Sequence, residues 1–126
     1  MNRKVISTDR APGAIGPYSQ GVIIGNLVYT SGQLPIDVTT GIMPDGVKAQ
    51  TKQSLENIKA ILEAGGSSIK NAVKLLIFIK DMNDFVIVNE VYGQFFTENY
   101  PTRSCVEVAR LPKDALIEIE AIGIIK

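Results

Sequence analysis

The chain has 126 residues, 45% of them hydrophobic and 21% charged, with 13 Lys+Arg balanced against 13 Asp+Glu. That length suits a single domain spanning residues 1–126, and the zero net charge gives no general attraction for nucleic acid or an anionic membrane. One cysteine excludes an intrachain disulfide, and the lack of histidine removes the usual zinc set and the imidazole base of Ser and Cys triads.

The polar start MNRKVISTDR lacks the apolar run of a signal peptide, and no stretch approaches the roughly 20 apolar residues that span a bilayer. The expectation is a cytoplasmic protein. Residues 18–31, YSQGVIIGNLVYTS, hold two β-prone runs that meet at Gly25-Asn26, which predicts a tight hairpin. Residues 35–46 carry Pro35, Gly41, Pro44 and Gly46 among short polar residues and read as a surface loop.

From Val47 to Ala64 the apolar positions Leu55, Ile58, Ile61 and Leu62 recur at helical spacing, with Lys52, Glu56, Lys59 and Glu63 left for water. Gly65-Gly66 ends that helix. Residues 72–80, AVKLLIFIK, are too short and too β-branched for a helix and predict a largely buried strand. Phe85, Val88, Val91, Tyr92, Phe95 and Phe96 form a second helical face, with Asn83 or Asp84 as its cap and Asn99 and Pro101 as stop signals. Two alternating segments follow, around 103–108 and 116–124, and both read as strands. The order predicts an α+β domain with two amphipathic helices on one face of a mixed sheet.

Several residues along this path could carry chemistry. Arg103, at the hand-over from helix to strand in PTRSCVEVAR, reads either as a planar fork for a carboxylate or phosphate or as a surface arginine. Cys105, two residues on, shares its side of the strand; the arginine could favour its thiolate, or the thiol is a small apolar filler. Glu118 and Glu120 share one face of the apolar run LIEIEAIGII, either as carboxylates aimed into a pocket that could hold a water or as partners of cations at an interface. Tyr18 and Ser19 offer hydroxyls, and Ser31-Gly32 could turn backbone N–H groups to an anion, although turn chemistry alone accounts for such residues. Asn89 reads as solvent-facing or capping, and the apolar residues around it as core.

Four stretches, GPYSQG at 16–21, YTSGQLP at 29–35, NEVYGQFF at 89–96 and PTRSCVEVARLPKDALIEIE at 101–120, resemble the Rid (YjgF-like) family of reactive-intermediate deaminases in their order along nearly the whole chain. The resemblance implies a chorismate-mutase-like α+β subunit in a homotrimer with a ligand cleft at each subunit interface. It also implies hydrolysis of 2-imino acids such as 2-iminobutanoate and 2-iminopropanoate to 2-keto acids and ammonia, tied to threonine and isoleucine metabolism, with no cofactor or metal. By the same resemblance Arg103 holds the substrate carboxylate, Glu118 positions the water, and Glu120 is structural. Tyr18, Ser31, Gly32, Asn89 and Cys105 then line the cleft. Two other expectations stand beside this one: a non-catalytic 2-keto acid binder with a regulatory role, and an endoribonuclease, against which the neutral charge and missing histidines argue.

Overall fold

The computed structural model describes residues 2–126. Six strands, β1 (Arg3–Ile6), β2 (Gly21–Ile24), β3 (Leu27–Thr30), β4 (Ala72–Ile79), β5 (Thr102–Glu107) and β6 (Ile117–Ile124), join in one sheet of order β1-β2-β3-β6-β4-β5. Only β4 and β5 run parallel, as α2 (Phe85–Phe95) crosses over between them; every other pair is antiparallel. The mixed sheet with two helices is therefore the architecture the sequence predicts.

The hairpin falls where expected, with Ile24 paired to Leu27 across Gly25-Asn26. Gly25 alone takes a positive φ, 59°, so the turn needs left-handed freedom at its first central position only. The helix α1 runs Val47–Ala64, and Gly66, at φ 91°, turns the chain out while the N–H of Ser67 reaches the Leu62 carbonyl at 2.8 Å. Two local expectations change. Asp81 caps the turn into α2, its Oδ1 accepting from the Asn83 N–H at 2.9 Å, whereas Asp84 makes no capping bond. β1 was not foreseen: of RKVI, only Ile6 is buried, so the segment lacks a recognisable apolar face.

Alternation fixes what each face does. Ile117, Ile119 and Ala121 of β6 pair with Ile79, Ile77 and Leu75 of β4, and all of them are buried against Leu55, Ile58, Ile61 and Leu62 of α1 and Val88 and Val91 of α2. Burying each of the Ile, Leu and Val side chains contributes roughly 1.5–3 kcal/mol before entropy is charged against it. Asn57, wholly inside this helix layer, donates through Nδ2 to the carbonyls of Leu34 and Ile36 at 3.0 Å each, which ties the 34–36 segment to α1. Among the described residues the opposite face carries no helix. There Val22, Tyr29, Leu76, Phe78, Val106 and Ile122 alternate outward beside Glu118 and Glu120.

Candidate functional site

The predicted site residues separate into two groups on the two faces of the sheet. Arg103 and Cys105 pair in register with Leu75 and Ile77, whose side chains are fully buried under the helices. Glu118 pairs with Phe78, one step out of phase, and so points to the open face. β4 lies between their strands. One copy of the chain therefore does not bring Arg103 and Glu118 into a common cavity.

The first group is built by the last strand of the sheet and the helix above it. Arg103 Nη1 donates to Asn89 Oδ1 at 2.7 Å. The guanidinium carbon sits 4.8 Å from the ring centroid of Tyr92 and 5.4 Å from that of Phe85. Phe85, Asn89 and Tyr92 are spaced i, i+4, i+7, so a single stripe of α2 supplies all three contacts. Among the described residues no carboxylate pairs with Arg103, and the rest of its N–H fork has no side-chain partner. Cys105 is half-buried beside it. Burial pushes its thiol up, against an opposing pull from Arg103, so the arginine does not produce a thiolate.

The second group lines a cavity of about 640 Å³ that gathers Tyr18, Ser31, Gly32, Gln33, Lys113 and Glu118. Gly32 leaves the Glu118 carboxylate its place: a Cβ would lie 2.9 Å from Glu118 Cδ and Oε2 and would have to displace it. Ser31 donates its hydroxyl to the Ser19 carbonyl and its N–H to that of Gln20, which leaves its Oγ only an accepting role. The Tyr18 hydroxyl accepts from the Ile15 N–H at 3.4 Å and is otherwise open to solvent. Burial, reinforced by the negative charge of Glu120, raises the Glu118 pKa above its ordinary value of 4.5. A carboxylate so disposed can take and return a proton nearer neutrality than a free glutamate.

The sequence does not single out four contributors as functional. Tyr92 and Phe85 read as core aromatics, and the signal that they do more is the polar Asn89 set between them on the same stripe. Gln33 lies within YTSGQLP; its backbone bridges to Ile119 at 2.7 and 3.2 Å, its Nε2 faces the carbonyls of Ser31 and Gly32, and its buried Oε1 has no partner. Lys113 reaches the Glu118 cavity from a turn in which it and Asp114 both hold left-handed backbone, φ 58° and 56°. Arg110 pins that turn with two hydrogen bonds to Asp114, at 2.8 and 3.3 Å.

A cationic fork under a helix, a partly desolvated carboxylate in a loop-lined cavity and an antiparallel sheet with one parallel edge define the class: a YjgF-like α+β protein. The chain belongs to the family described as Endoribonuclease L-PSP, whose model matches residues 8–125. It is 57% identical over 124 residues to a 2-iminobutanoate/2-iminopropanoate deaminase of Salmonella typhimurium, covering 96% of this chain and 97% of that one. Among solved structures it resembles E. coli TdcF with bound serine, TM-score 0.94 at 56% identity, over 98% of this chain and 99% of that. The YjgF gene product of E. coli is similarly close, TM-score 0.94 at 55% identity, over 98% and 99% of the two chains. Among the described residues no helix is long and apolar enough to cross a membrane.

Proposed function

We propose that this chain hydrolyses small 2-imino acids to 2-keto acids and ammonia in the cytoplasm, in a homotrimer whose clefts join the Arg103 group of one copy to the Glu118 group of the next. One observation carries this reading: a guanidinium with an open edge and a carboxylate with a raised pKa occupy opposite faces of one sheet. The apolar residues on the open face of the sheet support burial against another copy. The deaminase relative at 57% identity supports the reaction, and the relative described with bound serine supports a ligand that carries a carboxylate.

The chemistry follows from the two groups. Arg103 grips the carboxylate of the 2-imino acid through its free N–H edge, which fixes the C=N carbon in place. Glu118, as carboxylate, accepts a proton from a water while the water oxygen bonds to that carbon, and passes this proton to the imine nitrogen to give a neutral carbinolamine. Glu118 then takes the carbinolamine hydroxyl proton as the C=O bond forms and delivers it to the departing nitrogen as the C–N bond breaks. Ammonia leaves, and a 2-keto acid remains. No net proton or electron is left over.

The test uses two variants that complement each other. Imine released by a threonine dehydratase is followed to 2-ketobutyrate while semicarbazide competes for it. Arg103→Ala and Glu118→Gln proteins each lose the acceleration, while Cys105→Ala keeps most of it. When the two inactive variants are unfolded and reassembled together in equal amounts, random mixing in a cyclic trimer rebuilds about one site in four. Wild-type behaviour of Arg103→Ala sinks the assignment, and mixed assemblies without recovered activity sink the two-copy site. Binding of 2-ketobutyrate without any acceleration by the wild type would make the chain a ligand binder. The neutral net charge gives no field for the RNA that the family's description names.

A further inference from the structure

Arg103 is an exposed residue on an edge strand, and a free arginine there would sample many rotamers before meeting a ligand. Yet its guanidinium is held on several sides by one stripe of α2. Asn89 Oδ1 takes the Nη1 hydrogen at 2.7 Å, the Tyr92 ring lies 4.8 Å from the guanidinium carbon and the Phe85 ring 5.4 Å. The Tyr92 ring is itself backed by Phe96, the two centroids 4.5 Å apart at 31°. Tyr92 is 7% exposed and its hydroxyl has no hydrogen-bond partner among the described residues, an arrangement that costs stability and yields no polar contact there. The feature of Tyr92 that meets a neighbour is its ring face.

We infer that Tyr92 is the positioning residue of the Arg103 fork, its ring face and Asn89 together presetting the guanidinium so that one edge stays aimed outward for a carboxylate. The inference deepens the proposed deaminase site and rests on it for the identity of the ligand, but the orientation of Arg103 can be read with no ligand at all. A cation over an aromatic face is attracted by the ring quadrupole, and Asn89 fixes rotation in the guanidinium plane. The two contacts restrain different motions of the same group. A fork already set loses less freedom on binding, which appears as affinity.

The experiment compares wild type, Tyr92→Leu, Tyr92→Phe and Phe85→Leu in the full chain. ¹⁵N relaxation at Arg103 Nε should report a rigid side chain in the wild type, in contrast to exposed Arg3, and a mobile one in Tyr92→Leu. Tyr92→Phe, which keeps the ring and removes the unpartnered hydroxyl, should restore the rigidity. Calorimetry with 2-ketobutyrate should show affinity down about three- to tenfold in Tyr92→Leu and recovered in Tyr92→Phe. In turnover the loss should fall on KM, with kcat little changed. Combined with Arg103→Ala, Tyr92→Leu should cost no further affinity, since the group it acts through is gone. If Tyr92→Leu destabilises the fold, Phe85→Leu, on the less buried ring, tests the same clamp with a smaller loss of Nε order. An Arg103 Nε as mobile as that of Arg3 in the wild type, or no more mobile in Tyr92→Leu, overturns the inference; so does a Tyr92→Phe protein as impaired as Tyr92→Leu, which would put the work in the hydroxyl. If the wild type shows a rigid Arg103 but binds no 2-keto acid, the ligand reading fails and the clamp stands.

Discussion

Gly32→Ala tests the Glu118 half of the site with a single methyl group. The backbone at Gly32 is not in the left-handed region, so alanine adds no φ/ψ strain. The added Cβ would stand 2.9 Å from both Cδ and Oε2 of Glu118 and 3.2 Å from its Cγ, whereas ordinary contact begins near 3.4 Å. The carboxylate must therefore retreat by about half an ångström or more, and a misplacement of about 1 Å at a reacting group is enough to cost roughly 100-fold. We expect kcat to fall about 10- to 100-fold. Stability should change little, because the displaced atoms are the free end of a flexible side chain facing a cavity. Binding of 2-ketobutyrate should stay within about threefold, since Arg103 lies on the other face and keeps its contacts. The assay is 2-ketobutyrate formation from enzymatically released imine against semicarbazide, run beside calorimetry on the same preparations. A Gly32→Ala protein with kcat within about twofold of wild type would refute the placement of the working carboxylate beside Gly32.

Three further outcomes follow from named contacts. Glu118 is raised by burial and by the charge of Glu120, so it is protonated to higher pH than a free glutamate and the acid limb of kcat/KM should lie above 4.5; Glu120→Gln, by removing the like charge, should move that limb to lower pH. A Cβ on Gly123 would meet Ser67 Oγ at 2.5 Å and Leu62 Cδ2 at 2.9 Å, so Gly123→Ala should overpack the α1 contact and destabilise by about 1–3 kcal/mol, seen as a lower midpoint in urea. Gly93 is exposed on α2 with no atom within 4 Å of where its Cβ would be, so Gly93→Ala should raise stability by about 0.5–1 kcal/mol in the same measurement.

Helix positions were legible because their signals are local. The spacing of Leu55, Ile58, Ile61 and Leu62 marks the buried side of α1, and Gly65-Gly66 marks its end. The buried polar residues of the same helix were not legible: Asn57 is satisfied by carbonyls of Leu34 and Ile36, and only the tertiary fold brings those near it. The site divides the same way. Period-two alternation told that Arg103 and Cys105 share a side and that Glu118 and Glu120 share a side. It could not tell that these sides are opposite, because the relative phase of β5 and β6 is set by their separate registers on β4. Tyr92 was hidden for a related reason: an aromatic at helical spacing is what any core demands, and only the return of β5 beneath α2 gives its ring a cation to meet.

The pairing register also bears on why the working groups look unfinished in a single chain. Among the described residues no carboxylate pairs with Arg103, and Glu118 is partly desolvated with another carboxylate as its charged neighbour on the strand. Brought together, these opposite charges would satisfy each other, at little net gain in stability. The half-turn of phase between β5 and β6 prevents that within one copy, so the relief has to come from outside the chain. In the proposed deaminase site, a 2-imino acid brings a carboxylate to the fork, and its hydrolysis passes a proton through Glu118. On this reasoning, leaving the two groups unpaired within the chain keeps Arg103 from being occupied by its own glutamate before a substrate arrives.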